Sequence, residues 1–119
     1  MHSIIKLFSH TTDFKTFSAG QIIFEESQPG NVMYVVSEGT VEVLVHNKLL
    51  NELGPGDIFG EMALIDMQPR SATAIAKTDC KLIPVDQKRF TFLVQQTPYF
   101  AVEVMRIMAE RLRHLSTIV

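Results

Sequence analysis

Apolar and polar positions change period twice along the chain, and the changes divide it into three stretches. In residues 1–16, Ile4, Ile5, Leu7 and Phe8 stand at near-helical spacing, which predicts a short amino-terminal helix followed by an irregular approach from Asp13 to Phe17. Beyond it the apolar residues fall in short runs rich in β-branched and aromatic types, at 21–24, 32–36 and 40–46. In the last of these, Val41, Val43 and Val45 share one face while Thr40, Glu42, Leu44 and His46 share the other. Two more strands are predicted at 71–76 and 81–85, joined by a turn at Lys77-Thr78-Asp79. Turn-forming clusters separate the runs: Ser18-Ala19-Gly20, Gln28-Pro29-Gly30-Asn31, Ser37-Glu38-Gly39, His46-Asn47-Lys48 and Gly54-Pro55-Gly56-Asp57. Short strands this close together leave no room for crossover helices, so residues 17–85 are expected to form an antiparallel β-roll of the jelly-roll, double-stranded β-helix kind.

Residues 86–119 return to helical period. Asp86 suits the N-cap of a helix over 87–96, and Thr97 can cap a second helix with Pro98 at its first position, where a missing N–H costs nothing. After Pro98 the chain has no glycine and no further proline. Ala101, Met105, Met108, Leu112, Leu115 and Val119 recur at alternating steps of four and three, forming an a/d seam. Phe100, Val104 and Ile107 make a second apolar stripe beside it. One stripe can pack on the β-roll while the other meets a partner helix, which predicts a homodimer through the carboxy-terminal helix. Simple attachment of the helix to its own domain is the competing expectation.

Composition narrows the function classes. A length of 119 residues suits one domain, and 46% hydrophobic with 20% charged residues is enough to build a core. Net charge is −2 and no run of Lys and Arg appears, which argues against direct nucleic-acid contact. Cys80 stands alone, excluding an internal disulfide framework and a multi-cysteine zinc site, and is expected to be a small buried hydrophobe. The four histidines, His2, His10, His46 and His114, are too scattered to suggest a metal-bearing β-roll enzyme, and no nucleophile–base arrangement is readable. No enzymatic activity, catalytic residue or metal ligand is therefore predicted. With no signal-peptide stretch, and no apolar run near the ~20 residues of a membrane helix, the expectation is a cytoplasmic protein without membrane contact.

Chemistry concentrates between Ile58 and Ala74. Gly60 permits a backbone conformation or close approach that a side chain forbids. Met62-Ala63-Leu64-Ile65 can make a single helical turn, whose first amides point outward without internal partners and suit an anion. Arg70, just ahead of a strand, carries a guanidinium fork that fits a phosphate, and Glu61 is an acceptor-only carboxylate suited to a sugar hydroxyl. A plain Glu61–Arg70 salt bridge across a loop is the bland alternative, as is a β-bulge at Gly60.

Phe59-Gly60-Glu61-Met62-Ala63-Leu64, five residues, then Arg70-Ser71-Ala72-Thr73-Ala74 resembles the phosphate-binding cassette of the cyclic-nucleotide-binding domain family. Gly30-Asn31-Val32-Met33-Tyr34-Val35-Val36 resembles that family's early strands, and the likeness spans residues 14–116. The resemblance implies that Glu61 accepts the ribose 2′-hydroxyl and that Arg70 pairs with the exocyclic phosphate oxygens. It implies further that the Met62 and Ala63 amides and the Ser71 hydroxyl hold the same phosphate, and that Gly60 lets the ribose approach. Val43, with Leu50 and Asn51, would lie near the base, and Arg111 falls where bacterial relatives place a base-contacting arginine. Leu115 stands where the catabolite activator branch has a hydroxyl residue that reads adenine, although Ser116 follows it, so base selectivity is open. The ligand implied is cyclic AMP or cyclic GMP, with cyclic AMP expected ahead, signalling by movement of the carboxy-terminal helix. In that branch a helix-turn-helix domain follows the long helix; this sequence runs to Val119 without one, and a trimmed or stand-alone ligand module is expected. The competing function is a β-roll interaction module with no nucleotide, against which the intact Glu61 and Arg70 weigh.

Overall fold

The computed structural model describes residues 2–118, with side chains from 4 to 114. Leu115, Ser116 and Val119, named above for base reading and for the seam, lie outside the described side chains. The chain runs α1 (His2–Lys6), β1 (Lys15–Phe17), β2 (Ile22–Phe24), β3 (Val32–Glu38), β4 (Val41–Val45), β5 (Lys48–Leu53), β6 (Ile58–Phe59), α2 (Met62–Ile65), β7 (Thr73–Ala76), β8 (Cys80–Asp86), α3 (Gln87–Gln96) and α4 (Tyr99–Ile118). All strand pairs are antiparallel, in two four-stranded sheets ordered β1-β8-β3-β6 and β2-β7-β4-β5. This is the expected β-roll, with helices at both ends of the chain.

β3 explains how the layers stack. Its apolar run is buried on both faces, so it reads as continuous rather than alternating. Met33 and Val35 join a core with Phe8, Ile83, Val85 and the α4 residues Phe100, Val104 and Ile107. Tyr34 and Val36 face the opposite way, into a core with Val41, Leu53, Phe59, Ala74 and Leu82 between the sheets. The first sheet thus lies between the helices and the second sheet. Phe100, Val104 and Ile107, at 1–3% exposure, anchor α4, each burial contributing roughly 1.5–3 kcal/mol. The a/d positions Met105 and Leu112 remain 58% and 66% exposed.

Three strands go beyond the pattern-based expectation. The irregular approach to Phe17 is in fact β1, which pairs Lys15, Thr16 and Phe17 with Leu82, Lys81 and Cys80. β5 carries no strand pattern of its own and its first residue, Lys48, belongs to the expected turn; its Lys, Asn and Glu residues have poor strand propensity, and pairing with β4 overrides it. β6 has only two residues. The β4–β5 turn puts His46 and Asn47 at φ 52° and 65°, the left-handed pair of a type I′ hairpin made without glycine. Asp86 caps α3 as expected, its carboxylate accepting the Arg89 amide at 2.8 Å. Cys80 is buried at the start of β8, its S–H donating to the Thr40 and Thr78 carbonyls, and burial pushes its pKa up.

Candidate ligand-binding site

The segment from β6 to β7 crosses from one sheet to the other, and the loop between β2 and β3 lies against it. Two backbone hydrogen bonds clip them together: the Arg70 amide donates to the Gln28 carbonyl and the Ser27 amide to the Arg70 carbonyl, both at 2.8 Å. Ser27 adopts φ 74° to make this turn. Gly60 sits at φ 78°, a left-handed conformation that favours glycine. α2 forms over the four residues expected, and its ladder starts with Leu64 and Ile65 donating to the Glu61 carbonyl. The Met62 and Ala63 amides therefore precede the ladder.

Arg70 is only 8% exposed. Its Nη2 donates to the Val32 carbonyl at 2.7 Å and its Nη1 to the Gly60 carbonyl at 3.1 Å. The guanidinium carbon lies 4.0 Å from the centre of the Phe24 ring, a cation–π stack. Phe24 in turn stands against Tyr34 and Phe59, with centroids 6.5 and 5.8 Å away. Nε is buried and has no hydrogen-bond partner. Desolvation holds the Arg70 pKa below its ordinary value, opposed by Tyr34 and Glu61, but an arginine stays charged under such a shift. A buried cation whose Nε–H is unspent is chemically a seat for an anion.

Glu61 is buried at 4% exposure, and its partner is Arg111 on α4: Nη1 reaches Oε1 at 2.7 Å, and Nη2 donates to the Ile58 carbonyl. The bland expectation of a Glu61–Arg70 bridge is thus replaced by two separate arrangements, Arg70 on carbonyls and Glu61 on a helix fifty positions away in sequence. Ser71 is exposed at the start of the approach to β7, and Val43 is half-buried on β4, opposite Ala74 and Asn51. The structure brings Gly60, Glu61, Met62, Ala63, Arg70 and Arg111 to one place. The sequence pattern did not single out Phe24, Gly30 or the Val32 carbonyl as part of it. Gly30 gave a signal only as a turn residue and as the start of the segment that resembles the family's early strands. Among the described residues, no cluster of three or more His, Cys, Asp or Glu could hold a metal ion, and no helix is long and apolar enough to cross a membrane.

Residues 14–97 match the cyclic nucleotide-binding domain. The chain belongs to that family. A cyclic nucleotide-gated potassium channel of Mesorhizobium japonicum is 42% identical over 92 residues, covering 77% of this chain and 25% of the channel. The catabolite activator protein of Thermus thermophilus has the same fold, with a TM-score of 0.84 and 29% identity over 98% of this chain and 57% of its own. The EAL enzyme Bd1971, solved in a cyclic-GMP-bound form, is 33% identical with a TM-score of 0.68, over 88% of this chain and 29% of the enzyme. Its cyclic-AMP-bound form gives 35% and 0.66 over the same shares. This chain spans from about a fifth to about half the length of the curated relatives it matches.

Proposed function

We propose that the chain is a ligand-binding regulatory module, without catalysis of its own, that takes cyclic AMP or cyclic GMP at the site built around Arg70. The observation that carries the reading is the Arg70 guanidinium, fixed by two carbonyls and an aromatic ring with a buried Nε–H left over. Arg70 would pair with the exocyclic phosphate oxygens, helped by the Met62 and Ala63 amides and the Ser71 hydroxyl. Gly60 would let the ribose approach, Glu61 would accept the 2′-hydroxyl, and Val43 would lie beside the base. Cyclic AMP is proposed ahead of cyclic GMP. Calorimetric titration with each nucleotide tests this: binding heat is expected from both, with the tighter constant for cyclic AMP. No heat from either sinks the reading.

Arg111 holds Oε1 of the Glu61 carboxylate that is to accept the ribose hydroxyl. We infer that the hydroxyl displaces Arg111, which turns to the base, and that α4 moves with it. Such a switch works only through a difference in ligand affinity between the two α4 positions.

A second copy of the chain is the partner we propose for the a/d seam of α4, on which Met105 and Leu112 are exposed while Met108 is partly buried against the helix-side core. Sedimentation equilibrium should find a dimer for the parent chain and a monomer for Met105→Glu, since Met105 is exposed in the single chain and a carboxylate there would be buried unpaired only at the seam. A parent chain that sediments as a monomer at tens of micromolar would rule the seam out.

A further inference from the structure

Gly30 lies in the β2–β3 loop, with Arg70 crossing it. A Cβ built on Gly30 would stand 2.9 Å from Arg70 Cδ and closer still to Cζ and Nε. Its φ lies outside the left-handed region, so backbone freedom is not what this position needs; alanine could adopt the same conformation. What it needs is space, and Arg70 fills that space. Gly60 differs, because it combines φ 78° with a would-be Cβ 2.7 Å from Arg70 Nη1, so any substitution there also strains the backbone. The four elements around the guanidinium are therefore the Phe24 ring, the Val32 and Gly60 carbonyls, and the bare Cα of Gly30.

We propose that Gly30 is a positioning residue for the anion site: its missing side chain is the slot that holds the Arg70 guanidinium in place. The inference rests on the reading of Arg70 as the phosphate ligand. The atoms a new Cβ would strike belong to the mobile end of a long side chain, not to backbone. Gly30→Ala is thus relieved by Arg70 swinging out of its seat, at little cost to the fold. Phe24 shares the role as the floor of the slot, where its ring face attracts the cation. Phe24→Leu keeps apolar volume but removes that face, and serves as an independent second variant.

The experiment titrates cyclic AMP and cyclic GMP into the parent chain, Gly30→Ala, Phe24→Leu, Arg70→Ala and the two double variants carrying Arg70→Ala, with thermal unfolding of each. Gly30→Ala should weaken binding by about tenfold or more, the scale of a lost charge-assisted hydrogen bond, while its melting temperature without ligand stays within a few degrees of the parent's. Adding Gly30→Ala to Arg70→Ala should weaken binding no further, because the glycine acts only through the arginine. Parent-like affinity in Gly30→Ala overturns the proposal. So does a Gly30→Ala effect that persists undiminished without Arg70. A separate readout needs no ligand: the buried Arg70 Nε–H should give a slowly exchanging NMR cross-peak in the parent that Gly30→Ala loses. A retained peak overturns the slot. If the parent took up neither nucleotide, the binding reading would fall while this peak still tested the slot.

Discussion

Arg70→Ala should lose nucleotide binding by at least about tenfold, and by about a hundredfold where two charge-assisted hydrogen bonds go at once. The cost to the unliganded fold should be far smaller. Removing the guanidinium deprives the Val32 and Gly60 carbonyls of a donor, but it also relieves a desolvated cation and an unpartnered buried Nε. These effects oppose each other, leaving a net loss of no more than about 1–2 kcal/mol. Arg70→Lys retains the charge but not the planar fork, so it should bind more weakly than the parent and more tightly than alanine. Titration calorimetry reads the affinities and chemical denaturation reads the stability. Parent-like binding by Arg70→Ala would remove the site from Arg70 whatever the fold does.

Much of the architecture was legible because its causes are local. The alternation in β4, the capping carboxylate of Asp86 and the glycine-free run through α4 each act within a few residues. The missed strands share a different cause. β1 and β5 expose most of their positions, with burial falling on Phe17 and Leu53 at their ends, so neither carries an alternating apolar signature. They are strands because neighbours offer them a ladder, and that information lies in β8 and β4. Residue types and spacing in the cassette likewise revealed Glu61 and Arg70 as a pair of acceptor and donor. They did not reveal what each would be doing. Arg70 reaches Val32, thirty-eight positions earlier, and Glu61 reaches Arg111, fifty positions later. Such pairings depend on how the sheets fold over one another and where α4 lands, and no local period encodes them.

The Glu61–Arg111 pair has the second large expected effect. Arg111→Met keeps the aliphatic stem and removes the charge, leaving a carboxylate at 4% exposure without its cation and the Ile58 carbonyl without a donor. Breaking a fully buried pair costs about 3–5 kcal/mol; here the Arg111 side chain is 29% exposed, so about 2–3 kcal/mol is expected in chemical denaturation. Pairing it with Glu61→Gln should restore most of the loss, since a neutral amide is far cheaper to bury than an unpaired carboxylate. The same variant tests the proposed switch. In the parent, nucleotide should change the hydrogen-exchange protection of α4, because the ribose hydroxyl and Arg111 compete for one carboxylate. Arg111→Met removes the ion pair that joins α4 to Glu61, so the ligand should bind without altering that protection. A parent-like exchange response in the variant would mean that α4 is coupled to the site through its apolar packing on the roll. A stability equal to the parent's would mean that Glu61 gains nothing from Arg111, and the contact could then hold α4 in neither position.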